Sequence, residues 1–460
     1  MARNRLVPVI VASPLFLQNI DSTVMATVLP SIAETLRVPP LHLNLAITSY
    51  LLSLAVFLPI SGWLAERFGA KRVFCLAIAF FSLGSALCGI ANSLPELVVF
   101  RVLQGMGGAM MVPVGRLIML RSVPASQMVS AMVWFTVPPV IGRLLGPLLG
   151  GAIVTVTSWR WIFLINIPFG ILAIALAMAF VSETPEQEQP VPFDGKGFAL
   201  LALSLTLLLG ALETVGKALL PIWASVLLAG LGAWSFWRYC LHGRSLEHPM
   251  IDLAILRFRT FRTVVIGGVP LRLAIGASPF LLPLMLQLGF GMSPLMAGLF
   301  TMATAIGAFG TRFVMKRVIL KMGFRHLLMG SAMLTSFFYM SYSLFSPTTP
   351  HPLMFATMLL GGLVNSLGMV AMATLGYADI PQHRMSHATS LSTVIQQLSL
   401  SFGVVLGASL VTAAAWWYGD DPAHLMARDF SPAFVVVGLL TMLSLIAFMR
   451  LSPRDGAEMQ

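Results

Sequence analysis

Long apolar runs separated by short polar stretches dominate the chain. A helix needs about 20 apolar residues to cross the hydrocarbon of a bilayer. Runs of that kind fall at 6–30, 43–64, 72–92, 95–116, 128–155, 161–181, 197–214, 219–239, 261–288, 294–315, 324–346, 352–377, 388–416 and 431–450. They predict an all-α integral membrane protein with 14 spans, and an even count puts both termini on one side. The chain starts Met-Ala-Arg-Asn-Arg before its first apolar run, as a signal peptide does. That run is long, contains Asp21 and is followed by no small-residue cleavage site, so a retained first span is predicted.

Two polar stretches divide the spans. Residues 183–196 are Pro-rich and acidic and read as a cytoplasmic linker. Residues 241–260 are a second, polar and basic connector. The predicted layout is six spans in 1–182, the linker 183–196, two additional spans in 197–240, the connector 241–260 and six spans in 261–460. Gly62 to Arg72 reads GWLAERFGAKR after the second span, and Met322 to His326 reads MGFRH at the matching point of the last six. A glycine beside basic residues at equivalent places is what an internally repeated transporter shows.

Composition sharpens this picture. The chain is 57% hydrophobic and 10% charged, whereas a soluble domain carries about a quarter charged residues. The net charge of +11 is the kind of excess that also marks nucleic-acid binders, but its distribution points to topology. On the predicted spans, 21 of the 28 Lys and Arg fall on the side of the termini and 4 on the other, with Arg101, Arg143 and Arg272 inside spans. That bias makes the terminal side cytoplasmic. No basic stretch is interleaved with aromatics, so no nucleic-acid partner is expected. Cys75, Cys88 and Cys240 are too far apart for a disulfide or zinc framework.

Ionisable groups inside a span are costly and usually face a cavity or a partner. Asp21, Arg101, Arg143 and Arg272 stand out. At a rise of about 1.5 Å per residue, Asp21 lies roughly 13 Å below Pro30 and Arg101 roughly 12 Å below Ser93. The matching depths predict an Asp21–Arg101 pair if their helices are neighbours, either static or broken when Asp21 takes a proton. Arg143 and Arg272 have no intramembrane acid of their own, and a cavity with three cations and one acid favours an anion. Asn19, Gln104, Gln287, Asn365 and Gln396, with Asn44, Asn166 and Gln397, are candidates to line a pathway or to join helices. Gly62, Glu66, Arg67, Gly69, Lys71 and Arg72 form a candidate cytoplasmic gate. In span five, Gly142, Gly146 and Gly150 repeat every four residues beside Pro147 and Gly151, a smooth face for close helix contact. His383 and His387 near Asp379 have the spacing of half a metal site, but a solvated loop is the expectation, and no metal or cofactor is predicted. No GxxxxGK[ST], HExxH or GxSxG motif occurs, so neither an ATP-driven pump nor an enzyme is indicated.

These segments together resemble the major facilitator superfamily, specifically its 14-spanner drug:proton antiporters. GWLAERFGAKR is similar to the family's loop motif between spans two and three. FRVLQGMGGAM (Phe100 to Met110) is similar to its span-four motif, centred on the arginine matched by Arg101. GRLLGPLLGG (Gly142 to Gly151) is similar to its span-five antiporter motif, and NIDSTVMATVLP (Asn19 to Pro30) to a span-one motif whose acid is matched by Asp21. WRWIFLINIPFG (Trp159 to Gly170) is typical of the same group. The resemblance implies two six-helix bundles rocking about a central cavity and proton-driven export of a small molecule, from a monomer in a bacterial inner membrane. It implies Asp21 as the proton site. Two departures are present: Glu66 where an aspartate is usual, and Arg143 where a small or neutral residue is commoner. The second points away from a standard cationic-drug specificity, so the expected cargo is either drug-like compounds or an organic anion or metal chelate. An uncoupled facilitator and a membrane-embedded sensor are the competing readings.

Overall fold

The computed structural model describes residues 2–123, 128–183, 192–217, 220–246, 249–381, 384–421, 425–452 and 455. They form helices α1 (Ala2–Leu36), α2 (Asn44–Phe57), α3 (Ile60–Phe68), α4 (Ala70–Ile90), α5 (Leu94–Ser122), α6 (Met128–Val156), α7 (Arg160–Leu164) and α8 (Asn166–Phe180). These are followed by α9 (Gly195–Lys217), α10 (Ile222–Arg244), α11 (Arg259–Gly267), α12 (Val269–Leu284), α13 (Pro294–Ser343), α14 (His351–Leu375), α15 (Met385–Tyr418) and α16 (Ala427–Phe448). The all-α membrane class read from the apolar runs holds.

Among the described residues, 12 helices are long and apolar enough to cross a membrane. One of them, α13, has 50 residues, a length of about 75 Å, and the hydrocarbon is only about 30 Å thick. It is two helices joined at Gly323, whose φ of 70° and ψ of 166° interrupt the run. The 23-residue α10 is the other predicted span outside the 12. Pro30, expected to end the first span, lies inside α1, which runs on to Leu36 and stops at Arg37 with φ 53°. A proline forfeits one backbone bond but does not end a helix held on several sides.

Gly69 joins α3 to α4 with φ 84° and ψ 132°, nearly the conformation of Gly323. A residue with a Cβ is strained at positive φ. The two glycines of the weak sequence repeat therefore make the same one-residue corner.

In the first half α1 packs on α6, α2 and α4 pack on α5, and α8 packs on α4. In the second half α13 packs on α14 and α16, and α12 packs on α15 and α16. The halves meet along α6–α13, α2–α15 and α1–α12. One end of the molecule carries Arg67, Arg72, Arg121, Arg244 and Lys321, all exposed, and is called the basic end here; the other is the far end. At the far end Val24, Val28 and Leu29 of α1 share one buried core with Phe280, Leu281 and Leu284 of α12. Gln287 Nε2 donates to the Thr27 carbonyl across the same seam at 2.7 Å. A Cβ on Gly151 would collide with the Pro294 backbone, and one on Gly298 with the Pro147 carbonyl. The far end is closed, backbone against backbone.

Candidate functional site

Asp21 sits in the middle of α1, fully enclosed by its own half. Its Oδ2 accepts from Arg101 Nη1 at 2.6 Å and its Oδ1 from Gln104 Nε2 at 2.9 Å. Arg101 Nη1 also donates to Gln104 Oε1 at 2.6 Å, and Nε donates to the Ala46 carbonyl of α2 at 3.0 Å. The guanidinium lies 4.3 Å from the centre of the Tyr50 ring. Glycines make the room: a Cβ on Gly105 would press Ser53 of α2, and one on Gly84 the Gln104 backbone. The side chains of Arg101 and Asp21 are 1% and 0% exposed. A charge pair this deep is tolerable only where hydrogen bonds satisfy it, and here both Asp21 oxygens and the Nε and Nη1 of Arg101 are bonded. Removing the carboxylate charge, by a proton or by mutation, takes away the counter-ion of a buried arginine.

The remaining predicted residues divide by exposure. Arg143 lies one turn from Pro147 on the face of α6 turned to α13, yet is exposed. The two helices touch at Pro147 and Gly151, and Arg143, one turn away, is exposed. Its Nε donates to Asn19 Oδ1 of α1 at 2.5 Å. Arg272 is 3% exposed, and its Nη1 donates to the Val265 carbonyl at the end of α11 at 2.7 Å. Its Nε has no hydrogen-bond partner among the described residues. Neither Arg143 nor Arg272 has a carboxylate partner among the described ion pairs.

Two expected cavity residues are elsewhere. Gln104 is 0% exposed because it belongs to the Asp21 cluster, and Gln287 is buried in the far-end seam. Asn365 is half-buried and accepts from Thr335 Oγ1 at 2.9 Å; Gln396 and Gln397 are half-buried on α15. Asn166 is a helix link, donating to Ser85 Oγ at 2.8 Å.

At the basic end Gly62 has open space around it, Glu66 is half-buried, and Arg67 and Arg72 are exposed. Lys71 Nζ caps α8 by donating to the Met178 carbonyl at 2.8 Å. On α6, Gly142 and Gly150 face Phe16 and Val24, and Gly146 faces Thr23, all on α1; Gly151 faces α13. The glycine stripe thus serves both the inner packing and the closed seam. His383 lies outside the described residues, and no cluster able to hold a metal ion occurs among those described.

One acid was missed by the sequence reading. Glu213 of α9 is 3% exposed. It accepts from Thr48 Oγ1 at 2.9 Å and from Asn44 Nδ2 at 3.2 Å, both on α2. A carboxylate near the end of the apolar run 197–214 was the available signal.

Comparison with known proteins fits this architecture. The profile of the Major Facilitator Superfamily matches residues 14–404. A Salmonella heidelberg protein named multidrug resistance protein MdtD is 40% identical over 452 residues, 98% of this chain and 95% of the relative. Its Salmonella paratyphi A counterpart is 39% identical over the same span. Among solved structures, a D-xylose-proton symporter has a TM-score of 0.69 at 15% identity, covering 97% of both chains. An inward-facing bacterial homolog of the human lysosomal transporter Spinster has a TM-score of 0.68 at 15% identity, covering 99% of this chain and 98% of its own.

Proposed function

Since the chain belongs to the Major Facilitator Superfamily and is a membrane transporter rather than an enzyme, we propose that it exports a small anionic molecule in exchange for protons. The reading places it in a bacterial inner membrane as a monomer crossing 14 times. Both termini and the basic end are cytoplasmic, and no cofactor takes part.

The observation that carries the anionic substrate is the pair of arginines without a carboxylate partner among the described residues. Arg143 is exposed, which we read as a cleft between the halves opening there, and its one hydrogen bond among the described residues goes to the neutral Asn19. Arg272 is buried on the other half with an unused Nε. The acid of the neighbourhood, Asp21, is already saturated by Arg101 and Gln104. A guanidinium binds carboxylate oxygens with charge-assisted, often bidentate hydrogen bonds. A lipophilic cation entering the cleft would meet uncompensated positive charge.

With the far end closed and the cleft opening at Arg143, an anion reaches the site from the cytoplasmic side. Proton capture by Asp21 weakens its contact with Arg101, which keeps the Ala46 carbonyl and Gln104. α1 and α5 are then free to shift, and the two bundles rock to open the far end. Loss of the proton to the cytoplasm restores the pair. The second reading, export of drug-like compounds, rests on the names carried by the Salmonella relatives.

Everted vesicles energised acid-inside test both. A panel of labelled di- and tricarboxylates is compared with tetraphenylphosphonium. Carboxylate uptake that falls roughly tenfold or more in Arg143→Ala, the size of one charge-assisted bond, supports the anion. Uptake of the cation, unchanged in Arg143→Ala, overturns it.

A further inference from the structure

We infer that Glu213 is a positioning residue: it fastens α9 to α2, so that the added helix pair rides with the first bundle as a strap along which α15 of the second bundle slides. This rests on the rocking motion proposed above.

α9 runs antiparallel to α2 and is attached at both ends. At the far end Thr48 and Asn44, one turn apart on α2, both donate to the Glu213 carboxylate. At the basic end the rings of Phe198 of α9 and Phe57 of α2 are 5.7 Å apart. Phe193, just before α9, lies 4.8 Å from Trp63 of α3, inside the candidate gate. α10 follows α9 as one body. Gly232 sits against Leu208, Ser235 Oγ donates to the Leu200 carbonyl at 2.8 Å, and the hydroxyls of Thr214 and Ser225 are 2.9 Å apart. Asp194 ties the base of the pair together, accepting from the Gly197 amide and lying 2.9 Å from His242 Nε2 of α10.

α9 also packs on α15, so it covers the α2–α15 seam. On that side Leu201 and Leu205 meet the cluster of Ala388, Leu391 and Val394. Apolar contact is non-directional and tolerates sliding, whereas the carboxylate bonds on the α2 side are directional. A carboxylate at membrane depth is expensive, and Glu213 stands where the directional attachment to α2 is made. The turn of α2 that it grips also holds Ala46, whose carbonyl accepts a hydrogen bond from Arg101 Nε at 3.0 Å. One turn of α2 is thus held by the Asp21 cluster on one side and by the strap on the other.

Distances between paired spin labels test this in a variant with Cys75, Cys88 and Cys240 replaced by alanine. Arg121→Cys with Lys321→Cys reports opening at the basic end. Leu212→Cys with Ile90→Cys reports the strap against the first bundle, and Leu212→Cys with Trp417→Cys reports it against the second. All of these positions are exposed. Between acidic and alkaline buffer, the opening pair and the Leu212–Trp417 pair should each show two distances that change together, while Leu212–Ile90 stays single. Glu213→Leu should at least double the width of the Leu212–Ile90 distribution, and Glu213→Gln, which keeps an acceptor, should restore it. If Glu213→Leu fails to fold, Phe198→Ala, which removes the ring contact with Phe57, should broaden the same Leu212–Ile90 distribution. A split Leu212–Ile90 distance in the parent protein, or a Glu213→Leu distribution as narrow as the parent's, overturns the inference. A single opening distance in every buffer overturns the rocking reading itself, and the strap with it.

Discussion

Replacing Asp21 by asparagine removes one charge and little volume. In the folded protein the new amide keeps an acceptor for Gln104, but Arg101 loses its only described carboxylate, 2.6 Å away. What remains to the guanidinium is the Ala46 carbonyl, Gln104 Oε1 and the Tyr50 face at 4.3 Å. Breaking one side of a buried pair typically costs about 3–5 kcal/mol. The retained neutral contacts and the ring, itself worth up to about 2 kcal/mol when desolvated, put Asp21→Asn near the lower bound, about 3 kcal/mol. Asp21→Leu and Arg101→Met each strand a charge or a polar group, whereas the double variant strands neither charge. A double-mutant cycle in detergent should therefore return a coupling of about 3 kcal/mol, with the double variant more stable than Arg101→Met alone. Transport separates from stability. In proteoliposomes Asp21→Asn should abolish uphill, pH-driven movement and keep downhill exchange of the same labelled carboxylate. Uphill transport that survives removes Asp21 as the coupling acid and leaves a facilitator. A coupling below about 1 kcal/mol refutes the energetic argument.

Further outcomes follow from the packing. Gly146→Leu should prevent folding, read as loss of monodisperse protein on size exclusion, because even a Cβ there collides with Thr23 of α1. Gly151→Val pushes against the Pro294 backbone and should hold the far end open. Maleimide labelling of Met25→Cys, 1% exposed in the parent core, should then accelerate, and an unchanged rate contradicts a seam closed by backbone contact. Gly69→Ala and Gly323→Ala should each destabilise the protein by about 1–2 kcal/mol in thermal unfolding, the cost of a Cβ at positive φ. Equal stability to the parent at either site shows that the corner relaxes.

The class of fold was legible because hydrocarbon forces every backbone group into a helix and every span into a long apolar run. The closeness of Asp21 and Arg101 was legible for a related reason: matched depths narrow the choice of partner to helix adjacency. What one-dimensional depth does not contain is azimuth. Gln104 lies three residues after Arg101 and so shares its face of α5, and the structure turns it to Asp21 instead of the cleft. Gln287 was placed by its polarity and not by the seam it closes. Glu213 sits at the edge of its run, where an acid reads as the start of a loop; the neighbour that buries it, α2, is 165 residues away in sequence. Pro30 was given a local meaning that packing overrides.

The two glycine corners carry a mechanical consequence. Between Phe68 and Ala70, and again at residue 323 within α13, consecutive helices are linked by a single residue. Such a joint transmits displacement without play: shifting one rod drags its successor. Each half of the carrier is therefore geared at its basic edge, and lengthening either corner with inserted residues should disengage the rods while leaving both of them intact.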